Sequence, residues 1–195
     1  MKCVRNNKKI NSYKQKGDTC AICCMLMVLE YYNIIPKANY LYEKKYYRSY
    51  RSKYLPGVPL SAILWHLSKN GLEVELIHSH KNYFFNNDYL PSDIFSLSLN
   101  EYKEYVEISK KQGAKISYCT QFDSEMLQKL LKEDKLIIVA GMVNDVLHTV
   151  LISDYIDNSF VVYDPLYKEK QLRTCEEMEK FINTPIGKWC ITVKK

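Results

Sequence analysis

A run of apolar residues near the N-terminus limits the possible folds of this chain more than any other feature. Residues 20–32 read CAICCMLMVLEYY, with nine consecutive apolar residues before Glu30. Asp18 and Thr19, which precede the run, are residue types that favour the N-cap of a helix. A helix that is apolar on every side is a buried helix. The sequence therefore predicts one central helix that begins near Cys20, with the rest of the chain packed around it.

This apolar run is too short to cross a bilayer, which takes about 20 apolar residues. The N-terminal residues MKCVRNNKK carry positive charge without an apolar stretch behind them, so they do not form a secretory signal. The 195 residues are 47% hydrophobic and 26% charged, which is typical of one globular domain. We therefore expect a soluble cytoplasmic protein with no membrane partner and a single domain over residues 1–195.

The hydrophobic pattern changes from helical to strand-like along the chain. Helices are predicted near 38–51, 59–70, 100–111, 123–132 and 174–183, and strands near 72–77, 115–119, 136–143, 146–156, 159–164 and 189–194. Residues 81–98 are expected to be irregular. A mostly helical N-terminal half followed by an antiparallel sheet predicts the α+β class, with two lobes in one domain.

The net charge of +6 is concentrated partly in the tract EKKYYRSYRSK at residues 43–53. Aromatic rings among basic side chains can stack on bases and neutralise phosphates. The 17 tyrosines of the chain make such neighbours common, however. We interpret this tract as a solvated helix whose tyrosines cover the edge of the core, and we predict no nucleic-acid partner.

The seven cysteines suit neither a disulfide framework nor a metal site. Their number is odd and no secretory signal accompanies them, which argues against disulfides. Cys20, Cys23 and Cys24 form one cluster without the second ligand pair that a zinc site needs. We predict no metal and no cofactor.

Cys20 is the candidate nucleophile, because a helix N-terminus lowers the pKa of a thiol. Cys23 and Cys24 lie one turn further into the buried helix, where a free cysteine behaves as a small hydrophobic residue. A thiol nucleophile also needs a base. His148 begins the apolar strand HTVLI, where a titratable group is costly unless it is hydrogen-bonded. Asp164 follows the next strand and could orient the imidazole.

Whether His148 and Asp164 meet depends on the hairpin between their strands. Directly opposed residues share a face of a sheet, and so do residues two apart on one strand. A two-residue loop at 157–158 would put Asp164 opposite Leu151, on the wrong face. An odd-numbered loop would put it opposite Ile152, on the face of His148. The pair therefore requires an odd loop or a β-bulge.

Gln15 is the candidate oxyanion donor, because this role suits a neutral, fixed amide. It precedes Cys20 by five residues, and a loop that contains Gly17 separates the two. Such a loop can fold the glutamine side chain beside the thiol.

These residues together resemble a papain-like cysteine peptidase, most of all the double-glycine peptidase family that processes bacteriocins. The resemblance spans nearly the whole chain: Gln15 before Cys20, EYY at 30–32, GVPL at 57–60, HTVLI at 148–152 and VVYDP at 161–165. It implies a papain-like fold in which Cys20 is the nucleophile, His148 the base, Asp164 the orienting carboxylate and Gln15 the oxyanion donor.

Two departures from the family pattern bear on function. Ala21 replaces the usual glycine after the nucleophile, which affects the approach of a substrate backbone. No transporter segment follows, so leader cleavage coupled to export is not implied. We expect a peptidase that works through a thioester acyl-enzyme on a peptide, with a leader-like peptide as one candidate. Two alternatives stay open: an acyltransferase that passes the same thioester to an amine or thiol, and a catalytically silent binding module.

Overall fold

The computed structural model describes residues 9–80, 91–184 and 187–195. The helices are α1 (Cys20–Tyr31), α2 (Tyr40–Tyr50), α3 (Leu60–Lys69), α4 (Ser92–Lys111), α5 (Ser124–Lys132) and α6 (Cys175–Ile182). The strands are β1 (Glu73–His78), β2 (Lys115–Tyr118), β3 (Leu136–Val143), β4 (Val146–Ile156), β5 (Ser159–Tyr163), β6 (Gln171–Thr174) and β7 (Trp189–Lys194). None of the helices in these ranges has the length and apolarity that a bilayer crossing requires.

All the strands join one sheet in the order β2-β1-β7-β3-β4-β5-β6. The strands from β3 to β7 pair antiparallel, as predicted for the C-terminal part. The part of the chain before β3 also contributes β1 and β2, which pair parallel to each other at one edge. A parallel pair needs a long crossover, and α4 lies in that connection. The α+β class is confirmed, and the sheet is mixed rather than purely antiparallel.

Helix α1 is the centre of the larger of two hydrophobic cores. Every residue from Ala21 to Leu29 is buried, which confirms the predicted apolar helix. The helix packs against β3 and β4 and is flanked by α2 and α3. Helices α5 and α6 cover the other face of the sheet, where Leu127 and Met178 belong to the second core. Successive side chains of a strand point to opposite faces of the sheet, so one strand contributes to both cores. Leu151 of β4, for example, belongs to the first core.

The prediction that residues 81–98 are irregular is wrong for 92–98, which are the first turns of α4. Residues 81–90 lie outside the described residues. Phe95 packs against the first core and Tyr102, two turns later, is buried in it. This apolar stripe extends the helix in spite of its serines. The buried Ser98 hydroxyl donates to the Ile94 carbonyl at 2.7 Å. It is therefore not an unpaired polar group that would destabilise the helix.

Candidate active site

Cys20 is the first residue of α1 and is half-buried. Thr19 precedes it at the N-cap position but makes no side-chain capping bond. Its hydroxyl instead donates to Glu43 at 2.5 Å. Cys20 lies at the positive end of the helix dipole, which favours its thiolate.

His148 sets the ionisation of the Cys20 thiol. Burial by itself raises the pKa of Cys20, but a hydrogen bond from His148 and the charge of its ring outweigh burial, with help from Thr149. The net pKa lies below the ordinary value of 9.0. Burial raises the pKa of Cys23 and of Cys24 instead. Of the three clustered thiols, Cys20 is the one whose pKa is lowered.

A β-bulge brings Asp164 to the face of His148. The loop between β4 and β5 has two residues, Asp157 and Asn158, both with positive φ as a type I′ turn requires. The ladder pairs Ile156 with Ser159, but its register shifts between Ile152 and Asp154, so that Leu151 pairs with Tyr163. Ser153 is therefore the extra residue of a bulge. The prediction of an odd loop or a bulge is confirmed, because the hairpin contains a bulge.

This register places Asp164 directly after the partner of Leu151, so it falls beside Val150 rather than Ile152. The two groups are therefore only two residues apart along the sheet. His148 Nε2 donates to Asp164 Oδ1 at 2.7 Å. The other ring nitrogen of His148, Nδ1, is then the one left for Cys20.

Asp164 is almost completely buried, with 1% of its side chain exposed. Besides the imidazole, Oδ1 accepts from the Leu166 amide at 2.9 Å, and Oδ2 accepts from Arg173 Nη2 at 2.5 Å. Burial raises the pKa of Asp164, but the hydrogen bonds of His148 and Leu166, with the charge of His148 and the bond from Arg173, lower it below 3.8. The carboxylate is ionised throughout the neutral range.

The imidazole is held as a cation by its two partners. Burial lowers the pKa of His148, but the hydrogen bonds to Asp164 and Cys20 outweigh burial and raise it to about 9. The ring also packs edge-on against Phe181 of α6, with centroids 6.4 Å apart. Gly141, opposite His148 on β3, makes room for Phe181, because a Cβ there would lie 2.4 Å from its carbonyl oxygen.

Gln15 lies in the loop before α1, and this loop contacts the segment after Asp164. Its backbone N–H donates to the Pro165 carbonyl at 2.9 Å. Its side-chain Nε2 donates to the Gly17 carbonyl at 2.8 Å, which uses one of its two N–H bonds, and its Oε1 is buried without a hydrogen-bond partner among the described residues. The structure thus brings the Gln15 loop to the strand end that carries Asp164.

A cleft with a volume of about 160 Å³ opens beside Cys20 and His148. Its walls are mostly apolar and come from the loop before α3, from α4 and from the sheet. They include Leu55, Val58, Leu60, Tyr102, Leu147 and Trp189. The site can therefore hold an apolar substrate segment against a thiolate–imidazolium pair. Among the described residues, no group of three or more histidine, cysteine or acidic side chains could hold a metal ion.

The sequence patterns do not indicate two residues that contribute to the site. Arg173 belongs to β6, a strand with no apolar run to reveal it, and it binds a carboxylate nine residues away. The sequence predicts that Glu43 belongs to a solvated basic helix, yet Glu43 is 1% exposed. The available signal for Glu43 was that it is the one acid in that basic tract.

No protein-family model matches the sequence, and no curated protein does. Among solved structures, the peptidase domain of Streptococcus ComA, a bi-functional ABC transporter involved in quorum sensing, matches 95% of this chain and 98% of its own, with a TM-score of 0.52. This chain has the papain-like fold of that peptidase domain.

The likeness is one of fold, since the identity to the ComA domain is 13%. A protein from Bacillus anthracis assigned as a C39-like peptidase shows a TM-score of 0.49 and 12% identity, with 97% of this chain and 96% of that chain covered. The papain-like fold implied by the sequence resemblance is confirmed by the likeness to the ComA domain. The roles of its four candidate residues stay predictions.

Proposed function

We propose that this chain is a cysteine peptidase that cleaves a peptide through a thioester acyl-enzyme. One observation carries the proposal: a thiol at the N-terminus of a buried helix interacts with an imidazole that a buried carboxylate holds at 2.7 Å. A catalytically silent module would not need Cys20 with a lowered pKa or His148 with a raised one.

The reaction begins with the Cys20 thiolate and the His148 imidazolium. The thiolate attacks the carbonyl carbon of the scissile bond, and the electron pair of the C=O bond moves onto oxygen. The Cys20 backbone N–H and the free N–H of Gln15 stabilise this oxyanion. As the oxyanion collapses, His148 gives its proton to the leaving amine and the thioester remains.

Water then completes the turnover. Neutral His148 takes a proton from water while the oxygen attacks the thioester carbon. The acid leaves and the thiolate–imidazolium pair returns. Asp164 keeps its negative charge in every step, where it orients the ring and stabilises its cation. The apolar cleft walls fit a peptide with apolar side chains near the scissile bond.

The test has two stages. Iodoacetamide should label Cys20 faster than it labels free cysteine at pH 7, and His148→Ala should slow this labelling. A mixture of synthetic peptides is then incubated with wild type and with Cys20→Ala, and new termini are mapped by mass spectrometry. Products that only wild type forms, together with a transient acyl mass on Cys20, support the peptidase.

Two other results would redirect the proposal. Products in which the acyl group is joined to an added amine rather than to water would assign the chain as an acyltransferase. A Cys20 that reacts no faster than free cysteine, with no acyl adduct from any peptide, would leave only the binding module.

A further inference from the structure

Glu43 is a buried carboxylate on the face of α2 that Tyr46, Tyr47 and Tyr50 also turn towards the first core. It is 1% exposed, whereas the neighbouring Lys44 and Lys45 are exposed. Burial of a carboxylate is expensive unless hydrogen bonds replace its water. The donors that replace water at Glu43 therefore show what this carboxylate holds.

Three donors to Glu43 come from one short segment of the chain, and the Cys23 thiol, one turn into α1, also hydrogen-bonds it. The Lys16 amide donates to Oε1 at 2.9 Å, and the Thr19 hydroxyl donates to the same oxygen at 2.5 Å. The Tyr13 hydroxyl donates to Oε2 at 2.7 Å. Residues 13–19 contain Gln15 and end directly before Cys20. Glu43 thus binds residues 13–19 on both sides of Gln15, the predicted oxyanion donor.

Besides Glu43, this segment is held by the packing of Tyr13 against the first core and by the bond from Gln15 Nε2 to the Gly17 carbonyl. Lys16 and Gly17 are exposed, and a Cβ added at Gly17 would meet no atom within 4 Å. The backbone bond from Gln15 to Pro165 is its contact with the sheet. Packing is therefore sparse at Lys16 and Gly17, although the Gln15 amide oxygen is buried, and the hydrogen bonds of Glu43 fix the backbone on either side of Gln15.

We propose that Glu43 is a positioning residue for the oxyanion site. Its carboxylate holds residues 13–19 so that the Gln15 amide and the Cys20 N–H face the same acyl oxygen. This inference rests on the proposed function. It assigns Glu43 to the steps in which charge develops on a carbonyl oxygen, and it gives Glu43 no part in forming the Cys20 thiolate.

Two reactions of the same thiol separate these roles. Iodoacetamide alkylates Cys20 by displacement of iodide, and no carbonyl oxygen becomes charged. With p-nitrophenyl acetate, the thiolate adds to the ester carbonyl, an oxyanion forms, p-nitrophenolate leaves and acetyl-Cys20 remains. Each rate is measured under single-turnover conditions, and mass spectrometry locates both adducts on Cys20.

Glu43→Ala should slow acetylation by about tenfold to 10³-fold, the range for a displaced or lost oxyanion donor, while alkylation stays within about twofold of wild type. Glu43→Gln keeps the volume and one acceptor oxygen, so it should recover most of the acetylation rate. Gln15→Ala should show the same split as Glu43→Ala. The double variant Gln15→Ala/Glu43→Ala should be little slower than Gln15→Ala alone, because both changes remove one interaction.

Glu30→Ala is the matched control. Glu30 is also a carboxylate that anchors the N-terminal segment, since it accepts from Asn11 Nδ2 at 2.6 Å and from the Ala38 amide at 2.7 Å. It lies at the opposite end of α1 from Cys20. Both rates should stay unchanged in this variant. If Glu43→Ala does not fold, Thr19→Val removes one donor without loss of volume and should show a smaller split of the same sign.

Equal slowing of both reactions in the Glu43 variants, or no slowing of either, overturns the role of Glu43. Additive losses of the acetylation rate in the double variant also overturn this role. Failure of the proposed function has a different signature, because wild type itself would then react no faster than free cysteine with either reagent.

Discussion

Asp164→Asn tests the electrostatics of the site without the need for a known substrate. The pKa of His148 is raised from 6.5 to about 9, which corresponds to about 3 kcal/mol in favour of the imidazolium. This rise is net of burial, which acts in the opposite direction, and the hydrogen bond to Asp164 is the largest favourable cause. Loss of the carboxylate should therefore lower the pKa of His148 by about one pH unit or more.

The hydrogen bonds of Asp164 make this change more than a loss of charge. An asparagine at this position has one acceptor oxygen for the donors that Asp164 accepts from, namely His148, Leu166 and Arg173. If its oxygen turns towards Arg173, its NH2 group faces the imidazole and favours the neutral ring. Either orientation weakens the cation, so the direction of the pKa change is the same.

The assay is a titration of the histidine ring carbons by NMR, with His148 assigned from the spectrum of His148→Gln. His66 is the internal control, since burial, with the charges of nearby lysines, lowers its pKa to about 4, and this midpoint should not change in Asp164→Asn. A His148 midpoint near 6.5 in wild type, or one midpoint shared by both proteins, would refute the reasoning.

Stability gives a second reading of the same variant. The folded-state pKa of His148 lies above its ordinary value, so its contribution is fully present below about pH 6.5 and is lost as the pH rises through about 9. Asp164→Asn should consequently reduce the free energy of unfolding more at about pH 6 than above about pH 9. Urea denaturation at both values measures the difference.

Three further changes probe the site by other means. Cys20→Ser should abolish thioester formation with the fold intact, whereas Cys23→Ala should cost roughly 1 kcal/mol of stability or more and keep iodoacetamide labelling; the reverse pattern would move the nucleophile one turn. Gly141→Ala puts a Cβ 2.4 Å from the Phe181 carbonyl oxygen and should lower the unfolding free energy by about 1–3 kcal/mol; an unchanged denaturation midpoint would contradict this. Arg173→Met should raise the pKa of the buried carboxylate and move acid unfolding, followed by circular dichroism, to higher pH; an unmoved acid transition would count against the ion pair.

The features that local sequence reveals are those that a continuous pattern encodes. The nine apolar residues before Glu30 are sufficient to predict a buried helix. The strand that begins at His148 and the strand that ends before Asp164 also follow from their apolar runs. From these patterns the α+β class could be predicted, and His148 and Asp164 could be placed on neighbouring strands; the resemblance supplied the link to Cys20.

What the sequence did not reveal depends on contacts between distant residues. The start of α4 at Ser92 depends on packing of Phe95 against a core built mostly by other elements. The position of the bulge at Ser153 depends on which of two ladders the hairpin adopts, and no residue type there marks it. Glu43 and its partners are 24 to 30 residues apart, so no local pattern links the acid to the loop that it binds.

The bulge at Ser153 also constrains the evolution and the engineering of this hairpin. Removal of that one residue would restore a regular ladder, and the pleat would then direct Asp164 away from His148. Such a deletion would give a well-paired sheet without the His148–Asp164 bond. In any related sequence, a gap of one residue between the two positions must be matched by a second change of loop or bulge if the pair is kept. Sequence alignments across this hairpin should therefore be judged by the odd or even count of residues between the two groups, as well as by their identity.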